Sequence, residues 1–258
     1  MFRGVEPLNK HELAWAAGFF DAEGSFTFVR FDRRRDRRRV RASLPQAGDE
    51  YPETLIRFQN AVGGQGRRLE RPARGYFYYW YSEKFETVQA VGAMLWPWLG
   101  SEKRDQFRRV MSLATKSAKT LARASAPVET AQDLAWAAGL FDGEGTFAGS
   151  PSTPPDRYRT ISARLPQSSA AGVPEVLSRL QRVLRCGQIR GPRIQSSPWS
   201  KLPQYRWEVT NPSDVSYVVD AMWPYLGVHK RAQARLALER YASTPPQRIR
   251  TVTRRADA

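Results

Sequence analysis

The stretch Leu13-Ala14-Trp15-Ala16-Ala17-Gly18-Phe19-Phe20-Asp21-Ala22-Glu23-Gly24 returns as Leu134-Ala135-Trp136-Ala137-Ala138-Gly139-Leu140-Phe141-Asp142-Gly143-Glu144-Gly145, an offset of 121 residues. Ala42, Leu44, Pro45 and Gln46 match Ala163, Leu165, Pro166 and Gln167 at the same offset. Further on, Trp96-Pro97 faces Trp223-Pro224, and Lys103-Arg104 with Gln106 faces Lys230-Arg231 with Gln233. Self-similarity over nearly the whole chain means one unit used twice. The halves fall at 1–115 and 130–242. The Ala-, Ser-, Thr- and Lys-rich stretch 116–129 reads as a linker, and the basic, proline-containing 243–258 as a disordered tail.

Each repeated stretch reads as a helix. Asn9 with Glu12, and Thr130 with Asp133, have the spacing of capping boxes. Ala14, Ala17, Gly18 and Asp21, like Ala135, Ala138, Gly139 and Asp142, form a stripe of small residues at three- and four-residue spacing, so two such helices can pack with their backbones nearly touching. Asp21 and Asp142 are then expected to cap or to hydrogen-bond across the pair. Past each glycine the period changes to two. Val40, Ala42 and Leu44 should face a core while Arg39, Arg41 and Ser43 face away, and Thr160 to Leu165 keep the same phase. Strands at 25–30 and 146–148 precede them. A helix follows at 52–62 and 174–184, then hairpins at 65–70 with 76–81 and 188–193 with 204–209. In these hairpins Tyr78 and Trp80 match Tyr205 and Trp207 as core residues, while the outer face exchanges Tyr79 for Arg206 and Tyr81 for Glu208. A helix before each Trp-Pro turn and another after it complete the order αββαββα, twice. The fold class is α+β.

With 41 Lys and Arg against 25 Asp and Glu in 258 residues, the net charge is +16, which favours a polyanionic partner. Membrane-surface binding would need an amphipathic basic helix or a lipid signal, and neither is present. The single Cys186 excludes an internal disulfide and a thiolate zinc cluster. His11 and His229 are too few for a site built around several imidazoles. No apolar run approaches a membrane span and no secretory signal opens the chain, so the reading is intracellular, cytoplasmic or nucleoid-associated, with an organelle possible.

The two repeated stretches resemble the two motifs of a single-chain LAGLIDADG homing endonuclease. The αββαββα order, the glutamine closing the second strand and the basic residue ahead of the last helix extend the likeness. Ala16 and Ala137 stand where the pattern has Leu, and Gly143 where it has Ala; these are packing positions. The resemblance implies a monomer that cuts both strands of double-stranded DNA at a long, asymmetric site. In it Glu23 and Glu144 would bind Mg²⁺ or another hard divalent cation, assisted by the backbone carbonyls near Ala22 and Gly143. Gln46 and Gln167 would position water, and Lys103 and Lys230 would stabilise charge at the scissile phosphates. An acid at a helix C-terminus costs stability unless a cation lies alongside, which agrees with this reading.

The two antiparallel sheets would form a saddle over the major groove. If each half follows about one helical turn, the site spans roughly 20 base pairs. Candidate contacts are Arg30, Arg39, Arg41, Ser43, Arg67, Arg71 and Tyr79 in the first half, with Arg164, Arg190, Arg193 and Arg206 in the second. The arginine run at 33–39 has an uncharged counterpart at 150–155, implying a different grip on the two half-sites. A relative that keeps the scaffold without cutting, an intron RNA maturase or a DNA-binding regulator, is the alternative.

Overall fold

A computed structural model describes residues 9–32, 37–73, 77–114, 131–150, 160–194 and 202–243. In chain order the elements are α1 (Lys10–Glu23), β1 (Ser25–Asp32), β2 (Arg37–Ala47), α2 (Glu53–Ala61), β3 (Arg67–Ala73), β4 (Phe77–Ser82), α3 (Phe85–Leu95), α4 (Ser101–Ala114), then α5 (Asp133–Glu144), β5 (Thr146–Ser150), β6 (Thr160–Ser168), α6 (Glu175–Leu184), β7 (Gln188–Arg193), β8 (Gln204–Val209), α7 (Pro212–Met222) and α8 (Val228–Ala242). The sheets run β1-β2-β4-β3 and β5-β6-β8-β7, antiparallel throughout. The same topology twice is what the duplication requires. The linker read at 116–129, the tail from 244 onward, the arginines at 33–35 and the prolines at 151, 154 and 155 lie outside the described residues. Among the described residues no helix is long and apolar enough to cross a membrane.

The two motif helices lie against each other at the centre. Leu13 to Asp21 are all buried, as are Ala135 to Asp142, so neither helix has a wet face. Only glycine permits the approach. A Cβ on Gly18 would lie 1.9 Å from the Trp136 carbonyl oxygen, and one on Gly139 would lie 1.9 Å from that of Trp15. Around this axis the alternating residues Val40, Ala42, Leu44, Ile161, Ala163 and Leu165 are buried, as are Tyr78, Trp80, Tyr205 and Trp207. Each hairpin tryptophan donates its indole N–H to the turn before the hairpin, Trp80 to Gln65 O at 2.9 Å and Trp207 to Cys186 O at 3.1 Å.

Asp21 and Asp142 do both things expected of them. Asp142 accepts from Trp15 Nε1 at 2.7 Å across the pair, and Asp21 accepts from Trp136 Nε1 at 2.9 Å. Each carboxylate also receives the backbone N–H that opens the last helix of its own half, Gly100 at 2.9 Å and Gly227 at 2.8 Å. The starts of α4 and α8 are thereby tied to the last turns of α1 and α5. Trp15→Phe keeps the ring packing but takes a donor from the buried Asp142. The expected cost is about 2 kcal/mol, read as a lower urea midpoint at unchanged slope.

The capping expectation holds for one helix only. Asn9 Oδ1 accepts from His11 N at 2.9 Å and Glu12 N at 3.4 Å, but α5 starts at Asp133 with Gln132 at its N-cap and no side-chain cap; Thr130 lies outside the described residues. The acids at the third box position serve another purpose. Glu12 takes Arg57 from α2 with both Nε and Nη2 at 2.8 Å, and Asp133 takes Arg179 Nη2 from α6 at 2.6 Å. Each guanidinium lies over the tryptophan of its own motif helix, 4.0 Å from the Trp15 ring centre and 3.9 Å from that of Trp136. Each then reaches into the opposite half, Arg57 to Tyr225 O at 2.6 Å and Arg179 to Trp98 O at 2.5 Å. A guanidinium bound on three sides holds an acid more strongly than an N-terminal amide does.

Candidate active site at the paired helix ends

Glu23 and Glu144 are the last residues of α1 and α5, each followed by a glycine whose N–H closes the helix. Crossing at Gly18 and Gly139 brings these ends together. A Cβ on Gly143 would meet the Ala22 Cβ at 2.4 Å and the Glu23 Cγ at 3.2 Å. The departure from the family pattern at Gly143 thus has a cause, because the Ala22 methyl fills the place its own side chain would take.

Two acids this close, largely withdrawn from water, resist ionisation together. Burial pushes the Glu144 carboxyl up to about 8, and the neighbouring Glu23 adds to the rise while Lys103 opposes it. Burial also raises Glu23, countered by Lys103 and Lys230. Burial lowers the Lys230 ammonium, with Asp142 and Glu23 pulling the other way. The site is therefore a pair of carboxylates short of positive charge, flanked by one lysine from each half.

Register explains how the glutamines arrive there. Strand β2 runs two residues past Pro45 to Ala47, and β6 two past Pro166 to Ser168, although a proline removes a ladder donor. The first strands start late, Ser25 opposite Ser43 and Thr146 opposite Arg164, so beyond those pairs one edge of β2 and of β6 has no strand beside it. A proline, lacking an N–H, is tolerated at such an edge. Counting on along that edge, Gln46 and Gln167 fall beside the helix ends that precede β1 and β5. Gln167 Nε2 donates to Glu144 Oε2 at 2.6 Å. Gln46 instead accepts from Thr54 Oγ1 at 3.4 Å and lines a groove of about 750 Å³ together with Arg57, Asp142, Gly143 and Lys230.

The lysines are separated from their arginine neighbours by partners. Arg104 donates to Trp96 O and Pro97 O, each at 3.1 Å, and Arg231 to Trp223 O and Pro224 O, each at 3.0 Å. Those guanidiniums staple the Trp-Pro turns. Lys230 Nζ donates to Gly145 O at 2.6 Å, and the Lys103 ammonium acts on Glu23, Glu144 and Asp21 alike.

Among the described residues no group of three or more His, Cys, Asp or Glu forms a metal-binding cluster. A cation here would take its protein oxygens from Glu23, Glu144 and the main chain near Ala22 and Gly143, an all-oxygen set that fits hard ions such as Mg²⁺.

The candidate contact residues divide by half. Arg39, Arg41, Ser43, Arg67 and Tyr79 line one groove of about 840 Å³ on the first sheet. There Arg41 Nε donates to Glu83 Oε1 at 3.0 Å, and Ser43 Oγ lies 3.2 Å from Ser25 Oγ. Arg30 and Arg193 are exposed near strand ends, and the Arg71 side chain is outside what the structure describes. Arg164, Arg190 and Arg206 gather on Glu208. Glu208 was read as an outer-face residue, yet it is buried, because the three long arginine side chains cover it. Glu83, Tyr81 and Lys84 share the first groove and were not foreseen. Of these only Tyr81 had a signal, its place in the alternation of β4.

No protein-family model matches this chain, and none of the curated proteins matches it in sequence. Solved structures do match in shape. The LAGLIDADG homing endonuclease I-GzeII in complex with its DNA target superposes with a TM-score of 0.63 at 14% identity, covering 92% of this chain and 94% of that one. I-SmaMI, another LAGLIDADG homing endonuclease, bound to cleaved DNA, gives 0.61 at 17% identity over 90% and 89%. I-SmaMI on uncleaved DNA in the presence of calcium ions gives 0.55 at 15% over 90% and 98%. The chain has the LAGLIDADG fold in its two-motif form over nine tenths of its length.

Proposed function

We propose that this chain is a monomeric, site-specific endonuclease that cuts both strands of double-stranded DNA with the help of a divalent cation, Mg²⁺ first. The observation that carries the reading is the convergence of Glu23 and Glu144, one from each half, with Lys103 and Lys230 beside them. The shape relatives, solved on DNA targets, support the substrate class.

When bound, a hard divalent cation neutralises charge on the phosphorane and lowers the pKa of attacking water. Glu23 and Glu144 would hold it, with the carbonyls near Ala22 and Gly143. Gln46 and Gln167 would orient water, one for each strand. Lys103 and Lys230 would meet the charge that develops on the phosphate oxygens. Arg30, Arg39, Arg41, Ser43, Arg67, Arg71, Tyr79, Arg164, Arg190, Arg193 and Arg206 would grip the duplex on either side. The test is incubation with a randomised duplex library and Mg²⁺, followed by sequencing of cut ends. One long, asymmetric site and its loss with a chelator are expected; ends without any shared sequence would sink the proposal.

Proton competition gives a second check. Glu144 keeps its proton up to about pH 8 when no cation is present, so binding a cation releases one. Affinity should therefore rise with pH, by up to roughly tenfold per unit between pH 6 and 8, and level off above. Mn²⁺ titration of the protein followed by electron paramagnetic resonance measures it. A flat profile over that range contradicts the shared-acid site.

A further inference from the structure

On the second sheet one carboxylate sits beneath three guanidiniums. Arg206 Nη2 lies 2.7 Å from Glu208 Oε2 and Arg164 Nε 3.9 Å from the same oxygen, while Arg190 Nε contacts Oε1. The Glu208 side chain is 9% exposed, but those of Arg164, Arg190 and Arg206 are 45%, 62% and 40% exposed. Sheet geometry makes the cluster. Arg164 is the cross-strand partner of Glu208, Arg206 precedes it by two on the same strand face, and Arg190 is the partner of Arg206. The first sheet does otherwise: Tyr81 occupies the matching place opposite Ser43, and Arg41 lies over its ring while pairing with Glu83 beyond the strand.

An acid is the wrong residue for a surface that only grips phosphate. It cancels one of three positive charges, and phosphate affinity depends on their number. What it supplies is order. A guanidinium tied at one edge loses most of its rotamer freedom and presents the remaining N–H groups in a fixed direction, as bidentate recognition of guanine O6 and N7 requires.

We propose that Glu208 is a positioning residue for sequence readout, holding Arg164, Arg190 and Arg206 toward base edges, guanines first, in the half-site under the second sheet. This rests on the DNA-cutting reading given above. It assigns the two halves different anchors, a buried acid within β8 under three arginines against Glu83, beyond the end of β4, which pairs with Arg39 and Arg41 beside a tyrosine.

The experiment is enrichment of bound duplexes from a random library by the wild-type protein and by Glu208→Gln, in Ca²⁺ without cutting, at two salt concentrations. In the variant, preference should relax about tenfold at two or three adjacent positions of the second half-site only. Affinity for unrelated duplex should be equal or higher, because a negative charge has been removed. Unchanged preference in the second half-site overturns the proposal, as does equal loss in both. If Glu208→Gln does not fold, Glu208→Asp, which keeps the charge and shortens the reach, should relax the same positions; a wild-type profile in that variant overturns the proposal too. A wild-type protein that enriches no sequence fails the underlying reading as well, which separates the two failures.

Discussion

Glu144→Gln is expected to reduce strand cutting by on the order of 10³-fold or more while binding to the selected duplex is kept, because the variant loses a charged oxygen where a cation must be held against two phosphates. The isostere leaves the shape of the helix end intact. Binding should hold or improve, since a negative charge beside the DNA backbone is gone. Stability should move the other way from activity. In the folded protein the Glu144 carboxyl is raised to about 8 by burial and Glu23, against 4.5 as its ordinary value. Between those values the folded state holds a proton that the unfolded state releases, so ionisation of this acid costs stability as pH rises through that window. The neutral amide escapes the cost. Glu144→Gln should therefore melt higher than the parent at pH 8, measured by calorimetry, and a lower melting point together with retained cutting would assign Glu144 a structural role instead. Glu23→Gln should behave alike, and the double variant should cut no strand. A protein whose working residue lowers its stability is trading fold energy for chemistry.

Gly18→Ala is expected to destabilise the protein by roughly 4 kcal/mol or more. The new Cβ would come 1.9 Å from the Trp136 carbonyl oxygen and 2.9 Å from Leu140 N, both backbone atoms that no rotamer change can move aside. The helices would have to separate, loosening the buried faces of both halves and the bonds from Trp15 to Asp142 and from Trp136 to Asp21. Helix propensity alone predicts the opposite sign, a gain of about 1 kcal/mol for alanine over glycine. The sign of the change in chemical denaturation thus decides between the two effects, and a stabilised Gly18→Ala would mean that the helices do not cross here. Gly139→Ala should match it, because its Cβ would meet the Trp15 carbonyl oxygen at the same distance.

Much of this architecture is legible in the chain because the unit appears twice. The period-two runs at 39–44 and 160–165, the hairpins and the Trp-Pro turns each confirm their counterpart; the helices and most strands start and stop close to their expected places, while β2, β3 and β6 each run further, to Ala47, Ala73 and Ser168. Glycines on a shared stripe announce a close helix crossing, and the acids that end both helices announce a paired site. What escaped depends on partners distant in sequence. Asp133 has capping-box spacing, but a buried Arg179 from α6 claims it. Pro45 and Pro166 each remove a ladder donor, and only the late start of β1 and β5 lets the strands run on. Glu208 follows an outward phase, yet arginines from three strands converge on it. The unlike settings of Gln46 and Gln167 were likewise invisible, since their sequence surroundings are the same Leu-Pro-Gln.

The snug fit of the Ala22 methyl into the space beside Gly143 bears on how the two halves choose each other. Pairing a first half with a copy of itself would set methyl against methyl where the helix ends meet, and pairing a second half with itself would leave a hollow there. The carbonyls that receive Arg57 and Arg179, those of Tyr225 and Trp98, are equivalent in the repeat and do not distinguish the matches. Expressed as separate polypeptides, the halves should therefore form mixed couples in preference to either self-match, as native mass spectrometry would show.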